Sequence, residues 1–209
     1  MENLMELMTT RRSIRKFLEE PVPRQVIEDC VAAAAYAPCA CNSQMWRFAI
    51  VDDPGRIAGL AQAVADHTRE FYGTGADEKF IRGRVLAATH FCYAPALILV
   101  CMEPLTYYDP RVVRYFRAKG FDHEGMMARL GYPDYLSMGA AIENLLLEVH
   151  NQGYGACWMN DPIFSAPAIA AYLSLPPAWQ PVSLISLGKP RYRPRTKQVK
   201  GLSELLIYC

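Results

Sequence analysis

The sequence predicts a single α+β domain in which helices outnumber strands. Its 209 residues are 52% hydrophobic and 21% charged, the size and composition of one globular domain with one substantial core. Apolar residues at spacings of three and four indicate helices, and shorter continuous apolar runs indicate strands. No internal repeat and no linker interrupts these patterns, so residues 1–209 are expected to form one domain.

Proline and aspartate residues set the expected element boundaries in the first half of the chain. A helix is expected to begin at Pro23 and to end before Pro38. The run Asp52-Asp53-Pro54 closes a short strand and caps a helix that continues to about His67. The other expected elements are a helix over 1–8, a strand over 48–51, a helix over 80–91 and a strand over 96–102, whose aliphatic run is typical of burial on both faces.

Regular patterns fade between residues 103 and 135. This segment mixes tyrosine and phenylalanine with arginine, glycine and proline, which indicates a partly helical insertion rather than core. A long helix over 136–152 follows and is stopped by Gly153 and Gly155. The remaining expected elements are a short helix over 166–173, a strand over 182–188 and a final strand-like run over 205–207.

Basic residues are concentrated in two short runs. The formal net charge is only +1, yet ten of the 22 lysines and arginines lie within 11–16 and 189–200, so the rest of the chain is acidic. Two small foci suit one compact anion better than a nucleic-acid track. The aromatic residues of 107–135 are also not interleaved with these runs, as a stacking groove requires. We therefore expect no nucleic-acid partner.

Several functional classes are disfavoured by missing patterns. No signal peptide and no apolar run of membrane-spanning length is recognisable, so a cytoplasmic protein without a membrane partner is expected. The seven scattered cysteines do not suggest a disulfide framework. Cys39 and Cys41 form a C-x-C pair without a second pair at zinc spacing, so no metal site is expected. The fingerprints G-x-G-x-x-G, P-loop and H-E-x-x-H are absent as well.

Two motifs near the N-terminus carry most of the chemical information. The first, Arg11-Arg12-Ser13-Ile14-Arg15-Lys16-Phe17, offers three guanidinium groups and a hydroxyl where the chain turns from a helix toward a strand. Such a set suits bidentate binding of a phosphate dianion. The second, Ala37 to Phe48, ends an Ala-rich helix at Pro38 and enters an aromatic and apolar run in which Trp46 is expected to be a core anchor.

Together the two motifs resemble the flavin-dependent nitroreductase family. That family has an Arg-Arg-Ser-x-Arg run, then a helix and an Ala-Pro-Ser-x-x-Asn-x-Gln-Pro-Trp segment. This chain has Cys39 where the family usually has serine, and Met45 where it usually has proline. The resemblance implies a nitroreductase-like fold with a central, mostly antiparallel sheet flanked by helices. It further implies FMN as cofactor, NADH or NADPH as reductant, and a homodimer that exchanges its C-terminal arm.

The same resemblance assigns roles to individual residues. Arg11, Arg12 and Ser13 would hold the phosphate and ribityl end of FMN, and Arg15 would lie at the pyrimidine edge. The segment 153–161 resembles the helix-end segment that runs under the flavin ring, where the backbone N–H of Asn160, or of Met159 one step away, would meet flavin N5. Trp158 would either cover a ring face or serve as a core aromatic. The further cofactor-binding candidates are Pro38, Cys39 and Asn42 from the neighbouring subunit, Ser137 and Asp161, and the tail cations Arg195 and Lys197, with Arg193 or Lys200 as substitutes.

The resemblance specifies the cofactor better than the reaction. The preferred function is hydride transfer to a nitroaromatic, a quinone or a similar electron-poor acceptor, with residues 103–135 near the substrate channel. Related scaffolds also perform dehalogenation, flavin fragmentation and azoline oxidation. A non-catalytic flavin-binding redox sensor is a further alternative.

Overall fold

A computed structural model describes residues 4–73, 75–103 and 109–209 of the chain. In this part of the chain, one four-stranded sheet has the order β1-β2-β4-β3, and every neighbouring pair is antiparallel. The strands are β1 (Trp46–Val51), β2 (Ala96–Met102), β3 (Gly155–Met159) and β4 (Gln180–Gly188). The helices are α1 (Leu4–Thr10), α2 (Arg24–Ala35), α3 (Pro54–Tyr72), α4 (Glu78–Thr89), α5 (Pro110–Ala118), α6 (His123–Arg129), α7 (Pro133–Asn151), α8 (Ala166–Leu173) and α9 (Leu202–Leu205).

Helices cover both faces of the sheet and produce two hydrophobic clusters. On one face, α2 and α7 pack against Ile98 and Val100 of β2. On the other face, α3, α4 and α8 pack against Leu97 and Leu99. Every residue of β2 is buried, which confirms the prediction of a strand covered on both faces. Trp46 is buried as well, as expected of a core anchor.

Side-chain caps begin two of the helices that flank the sheet. The Asp53 carboxylate accepts a hydrogen bond from the Arg56 backbone N–H at 2.8 Å, which confirms the predicted cap of α3. Asp77 caps α4 in the same way through the Phe80 N–H. Helix α3 continues past His67 to Tyr72, because Thr68 is buried and the rings of Phe71 and Tyr72 pack against Phe164.

The arginine-rich run continues the sheet at its β3 edge. Ser13 forms a parallel bridge with Ala156, and the Ile14 N–H donates to the Ala156 carbonyl at 2.8 Å. Farther along, the Leu18 N–H donates to the Lys189 carbonyl. Gly155 permits this close approach, because a Cβ on it would lie 2.6 Å from the Ile14 side chain. The run is therefore fixed to the sheet by both backbone and packing.

Two expected elements differ from the structure. The segment 153–161 is not a helix end: it forms strand β3, because its backbone pairs with β4 on one side and with the arginine-rich run on the other. The run 205–207 is also not a strand. Residues 202–205 form the short helix α9, whose first turn is closed locally by Gly201 and Glu204, since no strand of the described chain lies beside it.

The segment 103–135 contains two helices, α5 and α6. Residues 104–108, including Tyr107 and Tyr108, lie outside the described residues. Met126 and Met127 of α6 are buried, so part of this segment is anchored to the body of the domain. No helix within the described ranges is both long enough and apolar enough to cross a membrane.

Candidate functional site

A cavity of about 470 Å³ lies where the arginine-rich run, the end of β3 and helix α4 meet. Its floor is formed by the strand, and α4 supplies one wall through residues spaced three or four apart. Arg15 and His90 provide nitrogen-containing groups at one side. The lining residues are Arg15, Gly83, Leu86, Ala87, His90, Cys157, Trp158, Met159, Asn160 and Asp161. The cavity thus combines a flat strand surface with a polar rim.

The backbone of β3 presents hydrogen-bond donors to this cavity. The Ala156 carbonyl points away from β4, because it accepts from Ile14 in the arginine-rich run. Hydrogen-bonding groups of successive strand residues point alternately to opposite sides. Trp158 and Asn160 therefore direct their N–H groups toward the same edge as Ala156, whereas Met159 directs its N–H toward β4. In this register, the outward donor at the end of the strand belongs to Asn160 and not to Met159.

The side chains of Trp158 and Asn160 are tied to each other and to β4. The Asn160 Oδ1 atom accepts from the indole Nε1 of Trp158 at 3.1 Å and from the hydroxyl of Ser183 at 2.7 Å. The carboxamide oxygen is therefore already engaged, and the backbone N–H of Asn160 is a separate donor at the end of β3. Trp158 is 39% exposed, so the alternative of a core aromatic is wrong.

Arg15 and His90 are the two lining residues with basic nitrogen-containing side chains. Burial raises the pKa of the Cys157 thiol, and the nearby positive charge of Arg15 opposes that rise. The Nε2 atom of His90 is buried and has no hydrogen-bond partner among the described residues. Both residues, with Leu86, also line an adjacent groove of about 1,040 Å³. His90 is thus a half-buried cavity residue with one uncommitted ring nitrogen.

Arg11 and Arg12 sit at the start of the same run and are held in different ways. Arg12 donates to the carbonyls of Thr9, Arg11 and Arg195, the last at 3.1 Å. Arg11 places its Nε 3.3 Å from a carboxylate oxygen of Glu143 on α7. The Arg12 contact brings the C-terminal tail against the N-terminal run, so the two basic runs of the sequence meet in space.

The other predicted site residues on the arginine-rich run, the tail and the end of β3 are exposed. Ser13 and Lys197 are open to solvent. Asp161 lies at the cavity mouth and forms an ion pair with Arg84 of α4 at 3.2 Å. That pair ties the end of β3 to α4. The structure thus brings Arg15 and residues 158–161 into one cavity, while Arg11 and Arg12 lie earlier on the same run and Arg12 contacts the tail at Arg195.

Pro38, Cys39 and Asn42 do not join this cavity in the same chain. They belong to a loop over residues 38–44, which we call the Cys39 loop, and Cys39 packs against the α2 and α7 side of the core. The Ala40 N–H donates to the hydroxyl of buried Ser137 on α7 at 3.2 Å. Ser137 in turn donates to the Pro133 carbonyl. The candidate residues therefore form two separate groups within one chain.

Sequence reasoning passed over some residues of this region. His90 carries no clear signal, because a histidine in an apolar helical segment is more often part of the core; Gly83, Leu86 and His90 nevertheless recur at helical spacing, which places them on one face of α4 and its C-terminal end. Glu143 carried no signal, because its pairing with Arg11 joins residues that are far apart in sequence.

The relatives found by comparison with known proteins include an iodotyrosine deiodinase and a protein named as an NAD(P)H nitroreductase. Iodotyrosine deiodinase of Drosophila melanogaster is 28% identical over 196 residues, which cover 91% of this chain and 63% of that protein. The chain therefore spans less than two thirds of the length of that relative. YfhC of Bacillus subtilis, assigned as an NAD(P)H nitroreductase, is 26% identical over 200 residues, covering 93% of this chain and 88% of YfhC.

Solved structures share the fold. A BluB-like flavoprotein of Clostridium difficile superimposes with a TM-score of 0.83 at 23% identity, with both chains fully covered. A nitroreductase with bound FMN from Bacteroides fragilis gives a TM-score of 0.70 at 22% identity, with 96% of each chain covered. These likenesses establish a nitroreductase fold, in agreement with the expected mixture of helices and antiparallel sheet.

The sequence model of the nitroreductase family matches residues 8–189. That range begins just before the arginine-rich run and ends at Lys189, one residue after β4. It therefore includes both motifs, all four strands and the cavity at the β3 edge. With the fold and the motifs in agreement over this range, the chain belongs to the nitroreductase family.

Proposed function

We propose that this chain is an FMN-dependent oxidoreductase that works as a homodimer. It would take hydride from NADH or NADPH and deliver it to a nitroaromatic, a quinone or a similar electron-poor acceptor. One observation carries the proposal: the arginine-rich run is docked on β3, so that Arg15 and the outward N–H of Asn160 border one cavity. Arg11 and Arg12 lie on the same run, and the backbone carbonyl of Arg195 in the tail contacts Arg12.

The residues of the site fit the chemistry of FMN. A phosphate dianion needs cations and donors, which Arg11, Arg12 and the tail provide. The buried Nε2 of His90 is an uncommitted hydrogen-bonding group beside Arg15, as the polar edge of a flavin ring requires. FMN, when bound, supplies hydride chemistry at ring N5.

At the phosphate end, the chain's own residues would act mainly by charge. Arg11 would grip the phosphate while Glu143 holds its Nε side, and Ser13 would add a hydroxyl. Arg195 is already at this place through its carbonyl contact with Arg12. Lys197, two residues farther along, would complete the clamp.

At the ring end, positioned donors would stabilise developing negative charge. Arg15 with His90 would face the pyrimidine edge and favour the reduced anion. The Asn160 backbone N–H would donate at N5, while the side-chain oxygen is held by Trp158 and Ser183. Buried Met159 and exposed Trp158 would form the surface beside the ring, with Asp161 at the mouth.

The Cys39 loop would complete the site from the other subunit. Pro38 and Asn42 are exposed in the single chain and lie apart from the cavity, so they are free to meet the cavity of a partner. Ser137 would support this loop through its bond to the Ala40 N–H. The segment 103–135 would shape the choice of acceptor.

The test begins with the visible spectrum of the purified protein. We expect flavin bands at roughly 370 and 450 nm and rapid anaerobic bleaching by NADH or NADPH. One site must accept the nicotinamide and then the acceptor, so initial-rate plots should give parallel lines. A colourless protein that does not take up added FMN would overturn the proposal, and intersecting lines would overturn the shared site.

A second candidate is reductive dehalogenation, which is favoured by the similarity to iodotyrosine deiodinase. Halide release from a halogenated phenol under dithionite reduction, without turnover of nitroaromatics, would support it. Flavin binding with negligible reduction of either acceptor class would instead indicate a flavin-binding redox sensor.

A further inference from the structure

We propose that Cys39 and Cys41 form a reversible dithiol–disulfide couple within the Cys39 loop. Neither residue has a disulfide partner in the structure, and only Ala40 separates them. The oxidant is a hydroperoxide, for which hydrogen peroxide serves as the probe. The disulfide step needs no electrons from a flavin, because this oxidant reacts with the thiols directly.

The short separation makes the bond sterically accessible. Two extended residues span at most about 7 Å between Cα atoms, and disulfides join Cα atoms about 4.4–6.8 Å apart. The loop is not extended, because the Asn42 N–H donates to the Cys39 carbonyl at 3.2 Å and the Ser43 N–H to the Ala40 carbonyl at 3.1 Å. This turn shortens the path between the two cysteines.

The loop is also held in an uncommon backbone conformation. Cys41, Asn42 and Gln44 all have positive φ, at 53°, 50° and 46°, a region that residues other than glycine rarely occupy. Such conformations persist where surrounding contacts impose them, here the Ala40 bond to Ser137 and the Arg47 bond to the Gln44 carbonyl. A disulfide formed in a strained, accessible loop is readily reduced again.

Solvent access and surroundings distinguish these two thiols from most of the others. Cys41 is exposed and Cys39 is half-buried, and the Cys39 sulfur accepts from the Gln44 N–H at 3.4 Å. By contrast, burial raises the pKa of Cys30 and Cys101 to about 12, so their reactive thiolates are scarce at neutral pH. Cys209 is the remaining exposed cysteine.

The reaction balances in two steps. The Cys41 thiolate attacks one peroxide oxygen, so that an S–O bond forms, the O–O bond breaks and hydroxide leaves. The Cys39 sulfur then attacks the Cys41 sulfur, and the S–O bond breaks with loss of water. In total, two thiols and one hydrogen peroxide give one disulfide and two water molecules.

The experiment uses the full-length protein, fully reduced, treated with hydrogen peroxide and then alkylated. Combined trypsin and chymotrypsin cleavage after Tyr36 and Trp46 separates residues 37–46 from Cys30. We expect this peptide to lose the mass of two hydrogens, to resist alkylation and to regain both thiols with dithiothreitol. Cys39→Ser and Cys41→Ser should each abolish the crosslink, whereas Cys209→Ser should preserve it.

Three results would overturn the proposal. Both thiols of the peptide could stay alkylatable after peroxide treatment, or each could oxidise to a sulfinic acid without a crosslink. A crosslink from either cysteine to Cys30 or Cys209 would also contradict it. Unchanged circular dichroism of the two serine variants verifies that a lost crosslink does not reflect unfolding.

Discussion

The three arginines of the N-terminal run differ in how the protein already uses them. Arg12 is engaged by three backbone carbonyls and joins the tail to the run. Arg11 is largely buried beside Glu143, whereas Arg15 is exposed and lines both cavities. Arg12 is therefore the arginine most engaged by the protein's own backbone, Arg11 is held by one carboxylate, and Arg15 is the most open of the three to a ligand in the cavity.

Arg11 and Arg15 should give different defects because they would meet opposite ends of FMN. Arg11→Ala should weaken FMN binding by about 10- to 100-fold, since a hydrogen bond to a charged group contributes about 1.5–3 kcal/mol. Arg15→Ala should chiefly lower the reduction potential of bound flavin, because a cation at the pyrimidine edge stabilises the reduced anion. Fluorescence titration and spectroelectrochemistry measure the two effects.

Arg24→Ala is the matched control for both variants, since Arg24 is exposed on α2 and pairs only with Glu28 among the contacts described. If Arg11→Ala and Arg15→Ala both bind FMN as tightly as Arg24→Ala, with the same potential, their assignment to the cofactor is wrong.

At the scale of elements, the sequence was sufficient to predict those helices and strands that depend on neighbouring residues in the chain. The Asp53 cap and the continuous aliphatic run of β2 were predictable, because capping and strand burial depend on adjacent residues. The strand character of 155–159 was not, because it arises from pairing with β4 and with Ser13. The same holds for α9, since an isolated apolar segment satisfies its hydrogen bonds within one turn.

In the candidate site too, features of the local sequence were predictable and contacts between distant segments were not. The arginine-rich run was recognisable as a motif, but its contact with β3 depends on packing between residues more than a hundred positions apart. His90 could not be assigned to the site from sequence for this reason: an apolar helix suggests core, and only the assembled structure shows that α4 borders a cavity.

Gly155→Ala tests whether this contact between the run and β3 is required. The added Cβ would lie 2.6 Å from Ile14, so the run must move away from the strand, and overpacking of this kind costs about 1–3 kcal/mol. We expect a lower melting temperature and a loss of FMN from the purified protein. Gly139→Ala is the control, because its nearest neighbour would be a Trp158 ring atom at an ordinary 3.9 Å. Equal flavin content in the two variants would contradict the requirement.

Phe116→Ala tests the role of the 103–135 segment. Phe116 lies on α5, where its ring contacts Tyr115 and Phe121, and it is not among the residues assigned to FMN. We expect altered kcat/KM for nitroaromatic and quinone acceptors with unchanged FMN content and unchanged reduction by NADH or NADPH. The same substitution at Tyr107, which lies outside the described residues, is expected to act alike. Unaltered kinetics with every acceptor would remove this segment from the substrate channel.

At the scale of the whole molecule, the single chain exposes apolar side chains on α1 and in the C-terminal tail. Leu4, Met5 and Met8 on α1 are each about half exposed or more, and the tail exposes Leu202, Leu205, Leu206 and Ile207. Large exposed apolar patches mark interaction surfaces. The outer edge of β1 is also unpaired within the described chain, and such an edge accepts a strand from another chain.

Deletion of residues 202–209 should therefore cost dimerisation and flavin occupancy together. The tail is exposed throughout this range and contributes little to the fold of its own chain, so a purely local role predicts no change in mass. If the tail instead reaches the neighbour's sheet, its loss opens an obligate interface, a class that buries about 2,000–5,000 Å². Separation of the subunits would then withdraw the Cys39 loop from the partner's cavity. Analytical ultracentrifugation with an absorbance scan of the flavin measures both quantities at once, and the substitution Tyr208→Ser controls for a change confined to one exposed side chain. A truncated monomer that retains stoichiometric FMN would refute the shared site while leaving flavin binding by the single chain intact.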